Sequence, residues 1–143
     1  MSSTRTIAIR ALRVGVGLVF VYAGWVKILS PQAFADSIAT FQLLPSRLIN
    51  LLASGLPPFE LIVGGWLVSG WKTRIAGFCG LLACGIFMAA LISAMIRGLP
   101  VECGCFGNAS SSLAPNLRLW LAIGRDFLLG VAVAVVYFDV RKL

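Results

Sequence analysis

IAGFCGLLACGIFMAALISAMI, residues 75–96, is the stretch that decides the fold of this chain. It carries almost no polar side chain, and a helix needs about 20 such residues to cross the hydrocarbon core of a bilayer. Small residues recur along it, as expected where helices approach closely in a membrane; they are Gly77, Gly80, Ala83, Gly85, Ala89 and Ala90. The stretch therefore predicts a transmembrane helix packed against others.

The composition of the whole chain supports this prediction. Of the 143 residues, 59% are hydrophobic and 12% are charged, and the mean hydropathy is +0.97. Soluble domains have about 45–50% apolar and about 25% charged residues. We therefore predict an integral membrane protein with a single domain over residues 1–143, and we interpret the net charge of +7 as a topology signal rather than as affinity for nucleic acid.

Three further apolar runs lie on either side of this one. The fold predicted is all-α, a bundle of four transmembrane helices, with spans at about 8–29, 47–70, 75–96 and 117–138. Phe34, Ile38, Phe41 and Leu44 have the spacing of a short amphipathic helix at the membrane interface, between spans 1 and 2. Pro57 and Pro58 predict a kink or break in span 2.

Basic residues near the ends of the spans predict the orientation. One side carries seven, and the other carries four; the two sets are Arg5, Arg10, Arg13, Lys72, Arg74, Arg141 and Lys142, against Lys27, Arg47, Arg97 and Arg118. The bias favours cytoplasmic termini in a bacterial inner membrane. The loop between spans 3 and 4 is then extracytoplasmic, on the side where disulfides persist.

That loop contains Cys103-Gly104-Cys105-Phe106-Gly107. Cysteines at i and i+2 can come within the 4.4–6.8 Å Cα separation of a disulfide, and Gly104 permits the sharp turn. We interpret the pair as a reversible dithiol that exchanges with a thioredoxin-like protein. A structural disulfide and two free thiols remain alternatives. Because the chain has no histidine, the usual four-ligand zinc set is incomplete and no metal site is predicted.

Charged residues within or near the spans form a second signal, because ionisable groups in a membrane usually face the bundle interior in pairs. We predict a polar pocket beneath the cysteine loop, built from Lys27, Glu60, Arg97, Arg125 and Asp126. It could stabilise a thiolate or a quinone ring; alternatively Lys27 reaches the interface or forms a structural pair with Glu60. Cys79 and Cys84 leave span 3 on different faces and are interpreted as inert, with a relay role for Cys84 left open.

Several motifs resemble the MauE branch of the DoxX-like membrane proteins. They are Cys103–Gly107, Ala23-Gly24-Trp25-Val26-Lys27 followed by Pro31 and Phe34, Leu43-Leu44-Pro45, and Pro58-Phe59-Glu60-Leu61. The resemblance implies a four-helix membrane bundle that acts in methylamine utilisation, maturing a disulfide-rich dehydrogenase subunit beside a thioredoxin-like partner. Carried over by position, Cys103 and Cys105 are its redox pair, and Lys27 and Glu60 its membrane charges.

Three functional hypotheses follow. The first is a thiol–disulfide oxidoreductase of the membrane that exchanges disulfides with an extracytoplasmic thioredoxin-like partner and has a quinone as candidate electron acceptor. The second is a non-catalytic anchor or assembly subunit of a redox complex, in which the cysteines act as a staple. The third is a transporter of soft metal ions or small sulfur compounds that uses the thiols as a relay.

Overall fold

The computed structural model describes residues 3–101 and 114–141, without the side chains of residues 115 and 141. These parts of the chain contain five helices and no strand. In chain order the helices are α1 (Ser3–Leu29), α2 (Pro31–Thr40), α3 (Ser46–Ser69), α4 (Thr73–Ile96) and α5 (Pro115–Arg141).

Two antiparallel helix pairs make up the bundle, α1 with α3 and α4 with α5. In the first pair the backbones touch where glycines face each other. A Cβ atom placed on Gly17 would lie 2.9 Å from the carbonyl oxygen of Gly64, and one placed on Gly24 would lie 2.9 Å from that of Pro57. Because a real Cβ essentially never stands so close to backbone, only glycine permits this approach.

The second pair is joined to the first by an apolar core. Gly77 and Gly80 of α4 face Tyr137 and Val133 of α5, and Val133 is fully buried. The core cluster also takes in residues of α1, α3 and α4, which are Val16, Phe20, Val63, Leu67 and Ala76.

α2 is the short helix predicted between spans 1 and 2. Its buried face packs on the first half of α3, where Phe34 and Ala35 meet Ala53. Phe41 follows α2 and joins a separate cluster at this end of the bundle, together with Leu91 of α4.

The prediction at Pro57 and Pro58 was a kink or a break, and the break is wrong because α3 continues through both prolines as one helix. A proline inside a helix removes one backbone donor, here for the carbonyls of Ala53 and Ser54, but its φ angle suits a helix. α1 contacts α3 at Pro57 and again at Gly64, and α2 packs on the half before the prolines, so both halves of α3 are held in the bundle.

The predicted fold class is confirmed. Among the described helices, four are long and apolar enough to cross a membrane, and they are α1, α3, α4 and α5. Large apolar side chains cover the outside of the bundle, including Leu18, Ile62, Phe78, Ile86, Phe127 and Leu128. An outer surface of this kind is stable in lipid. The helices lie close to the predicted spans, but α1 begins at Ser3 rather than at about residue 8, and α5 ends at Arg141 rather than at about residue 138. Hydropathy does not detect these polar helix ends.

Candidate functional site

A buried ion pair joins α1 to α3. Lys27 Nζ lies 2.6 Å from Glu60 Oε1, and the two residues are 2% and 5% exposed. Charged side chains are rarely found at such depth unless they are paired, and in membranes they mark functional positions by default. The pair is therefore the starting point of the candidate site.

The antiparallel crossing at Gly24 and Pro57 brings these side chains together. Lys27 and Glu60 each lie three residues after a residue of that crossing. Because the Cα–Cβ bond of a helical residue tilts toward the helix N-terminus, both side chains lean back toward the crossing, from opposite directions. The close backbone approach thus positions the ammonium group against the carboxylate.

Two aromatic rings enclose the Lys27 ammonium. Its Nζ lies 4.8 Å from the ring centroid of Phe34 and 5.3 Å from that of Phe87. Both distances fall within the range of cation–π attraction. Four helices therefore surround one charge pair, because Phe34 belongs to α2 and Phe87 to α4. Phe87 was not among the predicted site residues, because nothing in an apolar span distinguishes a phenylalanine that faces the interior from one that faces lipid.

Arg125 and Asp126 of α5 lie close enough to Glu60 for their charges to act on it. Asp126 is 7% exposed, and its Oδ1 accepts a hydrogen bond from Arg125 Nη2 at 2.9 Å. Glu60 Oε2 is buried and has no hydrogen-bond donor among the described residues. Together with Lys27, the cluster holds two positive and two negative groups, so its charges balance.

Arg97 lies at the end of α4 and is not paired with this cluster in the described part of the chain. Its guanidinium donates to the carbonyl oxygen of Phe41, which ties the end of α4 to the end of α2. Gly98 follows with φ +65°, and the amide of Leu99 donates to the carbonyl of Ala94. This is the glycine-dependent turn that commonly terminates helices.

The turn returns the chain to the bundle. Val101 is 6% exposed and packs in the cluster that contains Phe41, Leu91, Ala94 and Ala122. The next residues begin the cysteine motif, and Cys103, Gly104, Cys105, Phe106 and Gly107 all lie outside the described residues.

Cys79 and Cys84 of α4 are half-buried, free thiols. Cys84 packs against α5 at Gly130, and the charges of Glu60, Arg125 and Asp126 act on it. The two thiols are therefore not joined to each other, as their helical spacing requires.

An open groove of about 660 Å³ runs between α1 and α5. Its walls are largely apolar, and Arg125 and Trp120 are the lining residues whose side chains carry hydrogen-bond donors. Val19, Leu121 and Leu128 are among the other residues that line it.

Comparison with known proteins gives a family match over residues 5–138, to a family described as methylamine utilisation protein MauE. The chain belongs to the MauE family. It is 29% identical over 127 residues to the methylamine utilization protein MauE of Paracoccus denitrificans, an alignment that covers 87% of this chain and 66% of that protein. No solved structure matches. The MauE resemblance noted from the motifs is thus confirmed, and its four apolar helices make this MauE-family chain a multi-pass membrane protein.

Proposed function

We propose that this protein exchanges disulfides with an extracytoplasmic thioredoxin-like partner through Cys103 and Cys105, in the maturation of extracytoplasmic proteins for methylamine utilisation. The observation that carries the proposal is the Cys-Gly-Cys spacing directly after an anchored segment. Val101 is buried in the bundle, and the first cysteine of the pair follows it by two residues in the sequence.

The exchange proceeds in two steps whose atoms and electrons balance. A thiolate of the pair attacks the partner's disulfide, forms a mixed disulfide and releases one partner thiolate, which takes up a proton. The second cysteine of the pair then attacks the mixed disulfide and releases the other partner thiol. The partner is reduced by two electrons, and Cys103–Cys105 is oxidised to a disulfide. In the reverse direction the same steps oxidise the partner.

The buried charges support a role beneath this loop. Lys27, Glu60 and Asp126 are buried in the interior, the partly exposed Arg125 is paired with Asp126, and Arg97 is held at the bundle end from which the cysteine loop starts. A cation close to a cysteine raises its thiolate fraction. We assign these five residues to the supporting pocket of the redox pair, with Gly104, Phe106 and Gly107 shaping the loop.

In the direction that oxidises the partner, the pair is left as a dithiol, and a quinone is the candidate electron acceptor for its re-oxidation. The groove between α1 and α5 supports it, since apolar walls suit an isoprenoid tail and Arg125 is a donor for a quinone carbonyl. In that step the dithiol loses two electrons and two protons, and the quinone becomes the quinol.

The orientation is part of the proposal. The seven-to-four bias in basic residues supports cytoplasmic termini, which puts the cysteine loop on the oxidising side of the inner membrane. A membrane-impermeant maleimide added to intact spheroplasts, after reduction, should then label Cys103 and Cys105.

The deciding experiment is alkylation mass spectrometry on native membranes, with and without reductant, for the wild type and for Cys103→Ser, Cys105→Ser and Cys84→Ser. A redox pair predicts a reducible Cys103–Cys105 link, and it predicts a trapped mixed disulfide with the partner in one of the first two variants. The Cys84→Ser variant should behave as the wild type. Full activity in both Cys103→Ser and Cys105→Ser would contradict the proposal. If the partner still co-purifies with a variant that lacks both Cys103 and Cys105, the protein acts as an anchor subunit. If cells take up soft metal ions or small sulfur compounds only when the thiols are present, it acts as a transporter.

A further inference from the structure

The turn between α3 and α4 gathers positive charges that have no carboxylate partner in the described part of the chain. Lys72 and Arg74 are exposed at this turn, and the half-buried Arg13 of α1 reaches it. None of the three forms an ion pair within residues 3–101 and 114–141. Asp139 at this end of the bundle is already paired with Arg5, at 3.0 Å.

Arg13 lies directly against the turn. Gly70 has φ +80°, and a Cβ atom placed on it would lie 2.8 Å from Arg13 Nη1. The glycine therefore leaves the space that the guanidinium occupies. Arg13 Nε is buried and has no hydrogen-bond acceptor among the described atoms. The guanidinium forms no ion pair with a described carboxylate, so its charge remains available to an anion.

Lys72 sets the depth of the turn in the membrane. It has φ +48°, and its Nζ lies 5.0 Å from the ring centroid of Trp71 and 5.6 Å from that of Trp66. Tryptophans concentrate at the boundary between hydrocarbon and headgroups. The ammonium held over these two rings is therefore at the level of lipid phosphates.

The N-terminus of α4 adds backbone donors at the same place. Lys72 is the N-cap of this 24-residue helix, and no side chain caps it. The first N–H groups of a helix have no partner within the helix, and its dipole favours an anion there. The turn thus presents side-chain and backbone donors, positive charge and an interfacial position.

We propose that this turn, formed by Arg13, Lys72, Arg74 and the start of α4, binds the phosphate of an anionic phospholipid headgroup. The site lies at the other end of the bundle from the loop that begins after Val101, and it is independent of the proposed redox function. In the predicted orientation it faces the cytoplasmic leaflet, which carries anionic lipid.

The test uses the full-length protein in phosphatidylcholine nanodiscs that contain a minor fraction of phosphatidylglycerol. Native mass spectrometry then counts the phospholipids of each kind that stay bound after release into detergent. A Lys or Arg near the membrane surface contributes roughly fivefold to binding of anionic lipid, so Arg13→Gln/Lys72→Gln/Arg74→Gln should lower selective retention about 100-fold. Arg13→Lys and Lys72→Arg should retain the lipid, because they keep the charge.

The matched control is Arg47→Gln, which removes one exposed positive charge at the opposite end of the bundle. It should leave the retention of phosphatidylglycerol unchanged. If the triple variant does not fold, single variants of Arg13, Lys72 and Arg74 take its place. Equal retention of the two lipids by the wild type, or an equal loss in Arg47→Gln and Arg13→Gln, would overturn the site. Addition of millimolar inorganic phosphate separates the two sources of the ligand: undiminished lipid retention supports a headgroup, and complete displacement overturns it in favour of a soluble phosphate compound.

Discussion

Lys27 and Glu60 form a 2.6 Å ion pair in the interior of a membrane bundle, from two helices whose backbones touch one turn away. The charges of Arg125 and Asp126 act on Glu60 from α5. Removing two charges from water is costly, and the attraction between them offsets that cost only while both are present. Removing either charge alone should therefore destabilise the protein more than removing both.

Replacing one partner of the pair tests this directly. Lys27→Met should lower the free energy of unfolding by about 3–5 kcal/mol, because it leaves Glu60 buried without its cation. Lys27→Met/Glu60→Leu should recover most of that loss, since neither charge then remains. Unfolding of the purified protein by titration with sodium dodecyl sulfate measures both. If the double variant is as unstable as the sum of its single variants, the pair is not a coupled unit.

The close approach of α1 to α3 predicts a large effect of one methyl group. Gly24→Ala should destabilise the bundle by about 1–3 kcal/mol, because the new Cβ meets the Pro57 carbonyl. Gly15→Ala on the same helix is the matched control, since a Cβ there has no neighbour within 4 Å. It should be neutral or stabilise by up to about 1 kcal/mol through helix propensity. Thermal unfolding in detergent measures the change in Tm for each variant. Equal changes in Tm for Gly24→Ala and Gly15→Ala would argue against a close backbone contact at Gly24.

The ring of Phe87 should contribute through the Lys27 ammonium as well as through packing. Phe87→Leu is expected to destabilise by about 0.5–2 kcal/mol from lost cation–π attraction, in addition to lost contact area. In the background of Lys27→Met the cation–π part should vanish, so a double-mutant cycle isolates it. Phe78→Leu, on the exposed face of α4, serves as the control. A coupling energy close to zero would show that the Phe87 ring does not attract the Lys27 ammonium.

The hydrogen bond of Arg97 at the end of α4 should restrain the segment that leads to the cysteines. Arg97→Gln removes a charge-assisted hydrogen bond to the Phe41 carbonyl, an interaction that contributes about 1.5–3 kcal/mol in general. The segment before the motif should then open more often, and reduced Cys103 and Cys105 should react with maleimide roughly tenfold faster. Arg47→Gln provides the comparison at the same end of the bundle. Unchanged alkylation rates in Arg97→Gln would show that this bond does not restrain the loop.

Much of the architecture was predictable from local pattern. The runs around 8–29, 75–96 and 117–138 are so apolar that lipid is the environment in which they are stable, and their lengths match a bilayer. Pro31 and Gly98 mark helix ends, because proline suits a first turn and glycine a left-handed cap. The prediction of a break failed at Pro57 and Pro58, where α3 continues as one helix that packs against α1 and α2.

The candidate site was predictable as a set of residue types but not as an arrangement. Lys27, Glu60 and Asp126 stand out in the sequence, because charge is rare in apolar spans. Which charges pair depends on the register between α1 and α3, which is set by the contact of Gly24 with Pro57. Arg97 lies at a helix end on a carbonyl rather than beside Glu60, because α4 passes the level of the ion pair at Phe87 and ends only at Ile96.

The sequence alone determined that this is a membrane protein with four spans, and that it carries two cysteines beside glycine in a polar loop. These features follow from hydropathy and spacing, which are properties of neighbouring residues. Only the tertiary structure decided that Lys27 meets Glu60 between Phe34 and Phe87, and that Arg13 reaches the turn at Lys72. Such contacts join residues far apart in the chain. They depend on how closely two helix backbones approach, which no local pattern encodes.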